Sequence, residues 1–206
     1  GIRMGKVKDR IAREELFTEE DIQKLLDVCH DSPRNKAMIH VHSEAGTRPG
    51  ELISMRIKDV VFDEYGAKIS VIGKTVARKI RLIKSVPDLL KYFESHPFKD
   101  NPDSPLWFQQ TEKNYGKPMT YVSIRGVFSR INKKAKTGKR VSALNLFRHS
   151  EATQSANFMT EAQMRKRHGW SPASKMPARY VHLVDSDVED AIFEKHGIKK
   201  KTEEKI

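Results

Sequence analysis

The chain has 206 residues, enough for one large domain or two small ones. Its 39 Lys+Arg against 27 Asp+Glu leave a net charge of +12, which points to a polyanionic partner because each neutralised phosphate releases condensed counterions. The single cysteine, Cys29, excludes an internal disulfide, and the eight histidines show no zinc-like spacing with Cys or Glu. No apolar run approaches the roughly 18 residues of a membrane span. Gly1-Ile2-Arg3-Met4 does not open a signal peptide, so a cytoplasmic location without membrane contact is expected.

Residues 1–16 are basic, lack periodicity and read as a linker entering from an upstream domain. Thr18 is placed to cap a helix, with Glu19, Glu20 and Asp21 in its first turn. Cys29 follows Ile22, Leu25 and Leu26 at helical spacing and reads as a core residue. A second helix is predicted over 34–44, closed by Gly46, and Pro49 starts a short third. Residues 67–73 and 78–83 read as a β-hairpin around Gly73-Lys74-Thr75-Val76-Ala77. A helix over 87–96, a loop over 100–105 and a short strand at Leu106-Trp107-Phe108 follow.

The second half reads as helical. Ile124, Val127, Phe128 and Ile131 have the spacing of a buried helical stripe. Ser142 is placed to cap a helix running to Phe158, and Thr160-x-x-Gln163 is a capping box for a helix that ends at Gly169. Ser186-x-x-Glu189 opens a last helix before Gly197, and Lys199-Lys200-Lys201 begins a charged tail over 199–206. The expectation is a mainly α domain over 17–198 with one small antiparallel β-sheet.

Three segments stand out: Gly46-Thr47-Arg48-Pro49-Gly50-Glu51-Leu52, Leu146-Phe147-Arg148-His149-Ser150, and Ala178-Arg179-Tyr180-Val181-His182-Leu183. Each alone has an ordinary explanation. An arginine at a helix start is usually a surface or ion-pairing residue, and a tyrosine between two helices usually packs with its hydroxyl hydrogen-bonded. Their order and spacing, with Val71-Ile72-Gly73-Lys74 and His168-Gly169-Trp170 between them, make a more specific pattern.

In that pattern the sequence resembles the tyrosine recombinase family, which includes phage integrases and Xer-type enzymes. The resemblance covers about residues 18–197, and the wording of residues 169–183 is closest to archaeal members. It implies the integrase-like catalytic-domain fold and cleavage and rejoining of DNA through a 3′-phosphotyrosyl bond. Tyr180 stands where the family has its nucleophile, and Arg48 and Arg148 where it has its phosphate-binding arginines. Lys74 matches the hairpin lysine that acts as general acid. Trp170 falls where members carry His or Trp, and Glu51 is in the supporting acidic position. No metal or other cofactor is implied. The sequence departs from the family at Asn145, where a histidine usually stands three residues before the second arginine. Asparagine cannot take a proton near neutral pH. His149 adjoins Arg148, and neighbours on a helix point about 100° apart, so it is not expected to substitute.

The resemblance further implies double-stranded DNA at a specific site as partner and self-association to a tetramer, with the 186–196 helix as candidate contact. An upstream domain would share the grip on DNA. Arg78, Lys79, Lys139, Arg140, Arg165 and Arg167 are the basic residues expected along the DNA, each weighed against an ordinary solvated face. Two alternatives stay open: a DNA-binding protein that kept this fold and lost catalysis, and a type IB topoisomerase-like strand transferase.

Overall fold

The computed structural model describes residues 15–73, 77–139 and 144–181. Lys74, Arg140, the capping residue Ser142 and the 186–196 helix lie outside the described residues. The elements run α1 (Glu19–Asp27), α2 (Pro33–Ala45), α3 (Pro49–Ile53), β1 (Val60–Asp63), β2 (Gly66–Ile72), β3 (Ala77–Leu82), α4 (Val86–Glu94), α5 (Tyr121–Ala135), α6 (Asn145–Ser155), α7 (Glu161–His168) and α8 (Met176–Val181).

The expected hairpin is present with strand ends within a residue of expectation, but it belongs to a three-stranded antiparallel sheet of order β1-β2-β3. β1 went unread because four residues carry too little alternation. Its turn is made locally by the Asp63 carboxylate accepting from Tyr65 N–H at 3.0 Å. In register, Val60 faces Ile69 and Ile69 faces Ile80, which places one buried row against the helices. Leu106-Trp107-Phe108 forms only an isolated bridge between Phe108 and Pro118 rather than a strand. The α6 helix stops at Ser155, a turn short of Phe158. Tyr180 lies within α8 rather than between helices.

α2 is the central rod. It packs against α1, α4 and α6 and touches β3, so it has no single apolar face; Ala37, Met38, Ile39, Val41, His42 and Ala45 are all buried. The core gathers the inner faces of the sheet, α2, α4, α5 and α6, with Phe147 against Phe17 at a ring separation of 4.6 Å and against Phe128 at 5.4 Å. The Glu44 carboxylate, at the end of α2, accepts from the N–H groups of Ile83, Lys84 and Ser85, which ties the sheet's exit to the central helix.

His42 is fully buried. Its Nδ1 meets Thr47 Oγ1 at 2.9 Å and its Nε2 meets the Leu144 carbonyl oxygen at 3.1 Å. One ring thus joins the turn that carries Arg48 to the start of the helix that carries Arg148. Burial pulls its pKa from 6.5 down to about 4, so it is neutral at neutral pH. A histidine that folding keeps neutral must release its proton to fold below its ordinary pKa. Stability is therefore expected to fall as pH drops from about 6.5 towards 4, by roughly 3 kcal/mol at 1.36 kcal/mol per unit. Urea titrations across that window should show the slope in the parent chain and a flatter one in His42→Asn. Equal slopes would remove His42 as its source.

Candidate active site

Arg48 is the N-cap residue of α3, with Pro49 in the first turn. The rigid turn before it depends on Gly46, which is left-handed at φ 57°; a Cβ there would stand 2.6 Å from Glu151 Oε2. Arg148 projects from α6 and is buried, 6% exposed. Its Nη1 donates to the Gly46 carbonyl at 2.8 Å and its Nη2 to the His168 carbonyl at 2.7 Å. Both partners are uncharged, so the guanidinium is fixed in place without being neutralised. Burial, with Arg48 and Arg78 adding to it, lowers its pKa to about 10, and it remains cationic at neutral pH.

Glu51 organises the cationic side. Its carboxylate accepts from Arg48 N–H at 2.8 Å and Arg48 Nη1 at 2.8 Å. It also accepts both arms of the Arg78 fork, at 2.8 and 2.9 Å. Burial alone would raise the carboxyl, but the hydrogen bonds from Arg78 and Arg48 outweigh it and hold it at about 2. Two guanidiniums thus bind one carboxylate, and with Arg148 close enough to feel all three charges the cluster is left with a cationic excess.

Arg78, expected on DNA, is instead buried. Beside the Glu51 pair, its Nε donates to the Arg167 carbonyl at 2.7 Å. The reason is register: Arg78 lies opposite Val71, on the sheet face that meets the helices. Arg167 also turns inward, to Glu151 Oε1 at 2.7 Å and the Glu44 carbonyl at 2.7 Å. Arg165 pairs with Glu161 one helical turn back, at 2.8 Å. Lys139 lies 3.7 Å from Asp21. Lys79 is exposed.

The tyrosine side is built by stacking. Trp170 lies parallel to Tyr180, ring centroids 5.6 Å apart and planes 3° apart. His168 stacks on the other neighbour of that pile, 4.5 Å from Trp170. The Arg148 guanidinium carbon sits 5.5 Å from the Trp170 ring centre. Gly169, left-handed at φ 61°, ends α7 and lets this pile approach Arg78, whose Nη1 would lie 3.0 Å from a Cβ there. Tyr180 is 4% exposed. Burial raises its pKa against the pull of Arg148 and Arg179.

The fold therefore brings Arg48, Arg148, Glu51, Trp170 and Tyr180 into one region from three separate stretches of chain. Asn145 opens α6 and is exposed. His149, which was not expected to take part, places Nδ1 2.6 Å from the Tyr180 hydroxyl. Sequence reasoning also missed Glu151 and His168. These meet at 3.0 Å between Nε2 and Oε2; His168 lies inside a segment already singled out, and Glu151 directly follows another. Their burial was the signal that a sequence does not carry.

A small sheet on a helical body, with a buried tyrosine and a cluster of fixed arginines, defines an integrase-type catalytic domain. Residues 15–187 match the Phage integrase family, and the chain belongs to it. It is similar to Transposase A from transposon Tn554 of Staphylococcus aureus, 26% identical over 197 residues covering 89% of this chain. It spans only 54% of that relative, about half its length. The fold is also that of the XerA recombinase crystal structure (TM-score 0.67, 21% identity, 90% of this chain and 66% of that one). A Tn1549 transposon integrase in complex with circular intermediate DNA has the same fold (TM-score 0.67, 20% identity, 92% of this chain and 67% of that one). These relatives lend no support to the archaeal likeness.

Removing the Glu51 carboxylate leaves the buried Arg78 charge unpaired. Glu51→Ala is expected to cost about 3–5 kcal/mol of folding stability, read from urea unfolding. A loss below about 1 kcal/mol would mean that Arg78 finds water or another partner and that Glu51 is not the organiser.

Proposed function

We propose that this chain is the catalytic domain, over residues 17–198, of a site-specific DNA recombinase that works through a 3′-phosphotyrosyl intermediate. The observation that carries the reading is a cationic cluster, Arg148 at its centre, assembled beside the Trp170–Tyr180 stack. A phosphodiester repels nucleophiles, and negative charge redistributes over its oxygens in the transition state. Arg48 and Arg148 would hold those oxygens through rigid forks that stay charged. The Trp170 indole N–H would donate to one of them. The Tyr180 oxygen attacks phosphorus, its proton leaves, the P–O bond to the 5′ oxygen breaks, and that oxygen takes up a proton. The family resemblance gives the last role to Lys74. The phosphate ester is conserved through the exchange, so rejoining needs no external energy.

DNA as the partner is supported by the net charge of +12, by the DNA-bound Tn1549 integrase of the same fold, and by family membership. Exposed Lys79 and Lys166 would contact the duplex; Arg78 and Arg167 act from inside by positioning. Self-association to a tetramer on DNA, with the 186–196 segment as contact, is part of the same reading. The second reading, a DNA-binding member without catalysis, draws on Asn145 and on the burial of Tyr180.

Nicked suicide duplexes, randomised around the nick, separate the two. The parent chain should form a covalent protein–DNA adduct on a denaturing gel. Tyr180→Phe should form none while binding DNA equally well. Arg48→Ala, which alters a partly exposed side chain, should slow adduct formation by about 100- to 1000-fold. DNA binding without an adduct from any variant would favour the non-catalytic reading.

A further inference from the structure

The proposed reaction needs a group to accept the Tyr180 proton, and the usual histidine position holds Asn145. We infer that His149 is that acceptor: its Nδ1 lies 2.6 Å from the Tyr180 hydroxyl, on the same face of α6 as Asn145 and one turn further along. The inference rests on the recombinase reading above and names a catalytic residue within it.

Helix geometry explains how the role can move. Measured from Arg148, His149 points about 100° away. The relevant comparison is with Asn145, four residues earlier, and residues four apart lie over one another on a helix surface. An imidazole at 149 therefore faces the same side as one at 145, displaced by a single turn. α8 brings the phenol to that displaced position. The rings of His149 and Tyr180 are 6.0 Å apart, and Trp170 packs on the phenol so that its hydroxyl is held at the imidazole.

The surroundings suit a neutral acceptor. His149 is half-buried, and the charged groups that act on it are Arg148 of its own helix and Arg179 of α8, both cationic. Burial and these two arginines lower its pKa, so at neutral pH the ring is uncharged and can take a proton. Tyr180 is itself raised by burial, against Arg148 and Arg179, with Glu151 adding to the rise. A buried phenol with a raised pKa does not ionise unaided near neutrality, and an imidazole within hydrogen-bond reach removes that barrier. The step balances. Tyr180 O–H gives its proton to Nδ1 as the oxygen–phosphorus bond forms and the bond to the 5′ oxygen breaks. In the reverse step the imidazolium returns the proton to the departing phenolate.

The test follows adduct formation on the nicked suicide duplexes between pH 5 and 9 for the 206-residue parent chain, His149→Asn and His149→Gln. Asparagine places an oxygen near the Nδ1 position, so it can accept the hydrogen bond but not the proton. The parent rate should rise with pH through a limb below the ordinary imidazole pKa and then level off. In both variants that limb should disappear, with the rate near pH 7 lowered by about 100- to 10,000-fold. Circular dichroism establishes that each variant is folded, and the two substitutions guard against one failing to fold. A variant that keeps the parent's rate and pH profile overturns the inference while leaving the recombinase reading intact. So does a slower variant that keeps the limb, because His149 would then only hold the tyrosine. A parent chain that forms no adduct overturns the recombinase reading and this inference with it.

Discussion

The burial of the Arg148 guanidinium between two backbone carbonyls is the constraint on which the rest of the site depends. A charge taken out of water costs several kcal/mol unless it is hydrogen-bonded. Here the carbonyls of Gly46 and His168 do this, from the end of α2 and the end of α7. Three chain segments must arrive together for the charge to be tolerated. Gly46 has to be left-handed for its carbonyl to point inward, and a side chain there would collide with Glu151. His42, buried below, locks the same turn to the start of α6. The consequence for chemistry is a cation that is fixed yet not cancelled.

The two buried carboxylates do different jobs around it. Glu51 binds the backbone and side chain of Arg48 and the fork of Arg78. Glu151 binds Arg167 and Ser155 and faces His168. Each ties the sheet or α7 to the central helices, so arginines that look like surface cations in the sequence become internal struts. A phosphate entering the cluster would meet donors already oriented, without reorganising them, which is the condition under which fixed charge lowers a barrier most.

Stacking governs the tyrosine. The aromatic pile of His168, Trp170 and Tyr180 spans the turn from α7 to α8, and the phenol hydroxyl in it meets His149. The same burial that orders the ring raises its pKa. Order and reactivity therefore pull against each other at this residue, and a neighbouring base reconciles them.

Much of this was legible beforehand. Caps at Thr18 and Thr160, the Gly46 and Gly169 stops and the Ile124–Ile131 stripe are local signals, since each depends only on residues within a turn or two. Arg48, Glu51, Arg148, Trp170 and Tyr180 were legible through motif order. β1 was too short to show alternation, and α8 too short to show periodicity. The sequence by itself determined the helical character, the hairpin and the motif residues that are the candidates for the chemistry. Only the tertiary structure decided where each charge points. It held Arg78 inward on Glu51 and the Arg167 carbonyl, and it set His149 against Tyr180 through the packing of α8 on α6, because both depend on contacts between segments far apart in the chain.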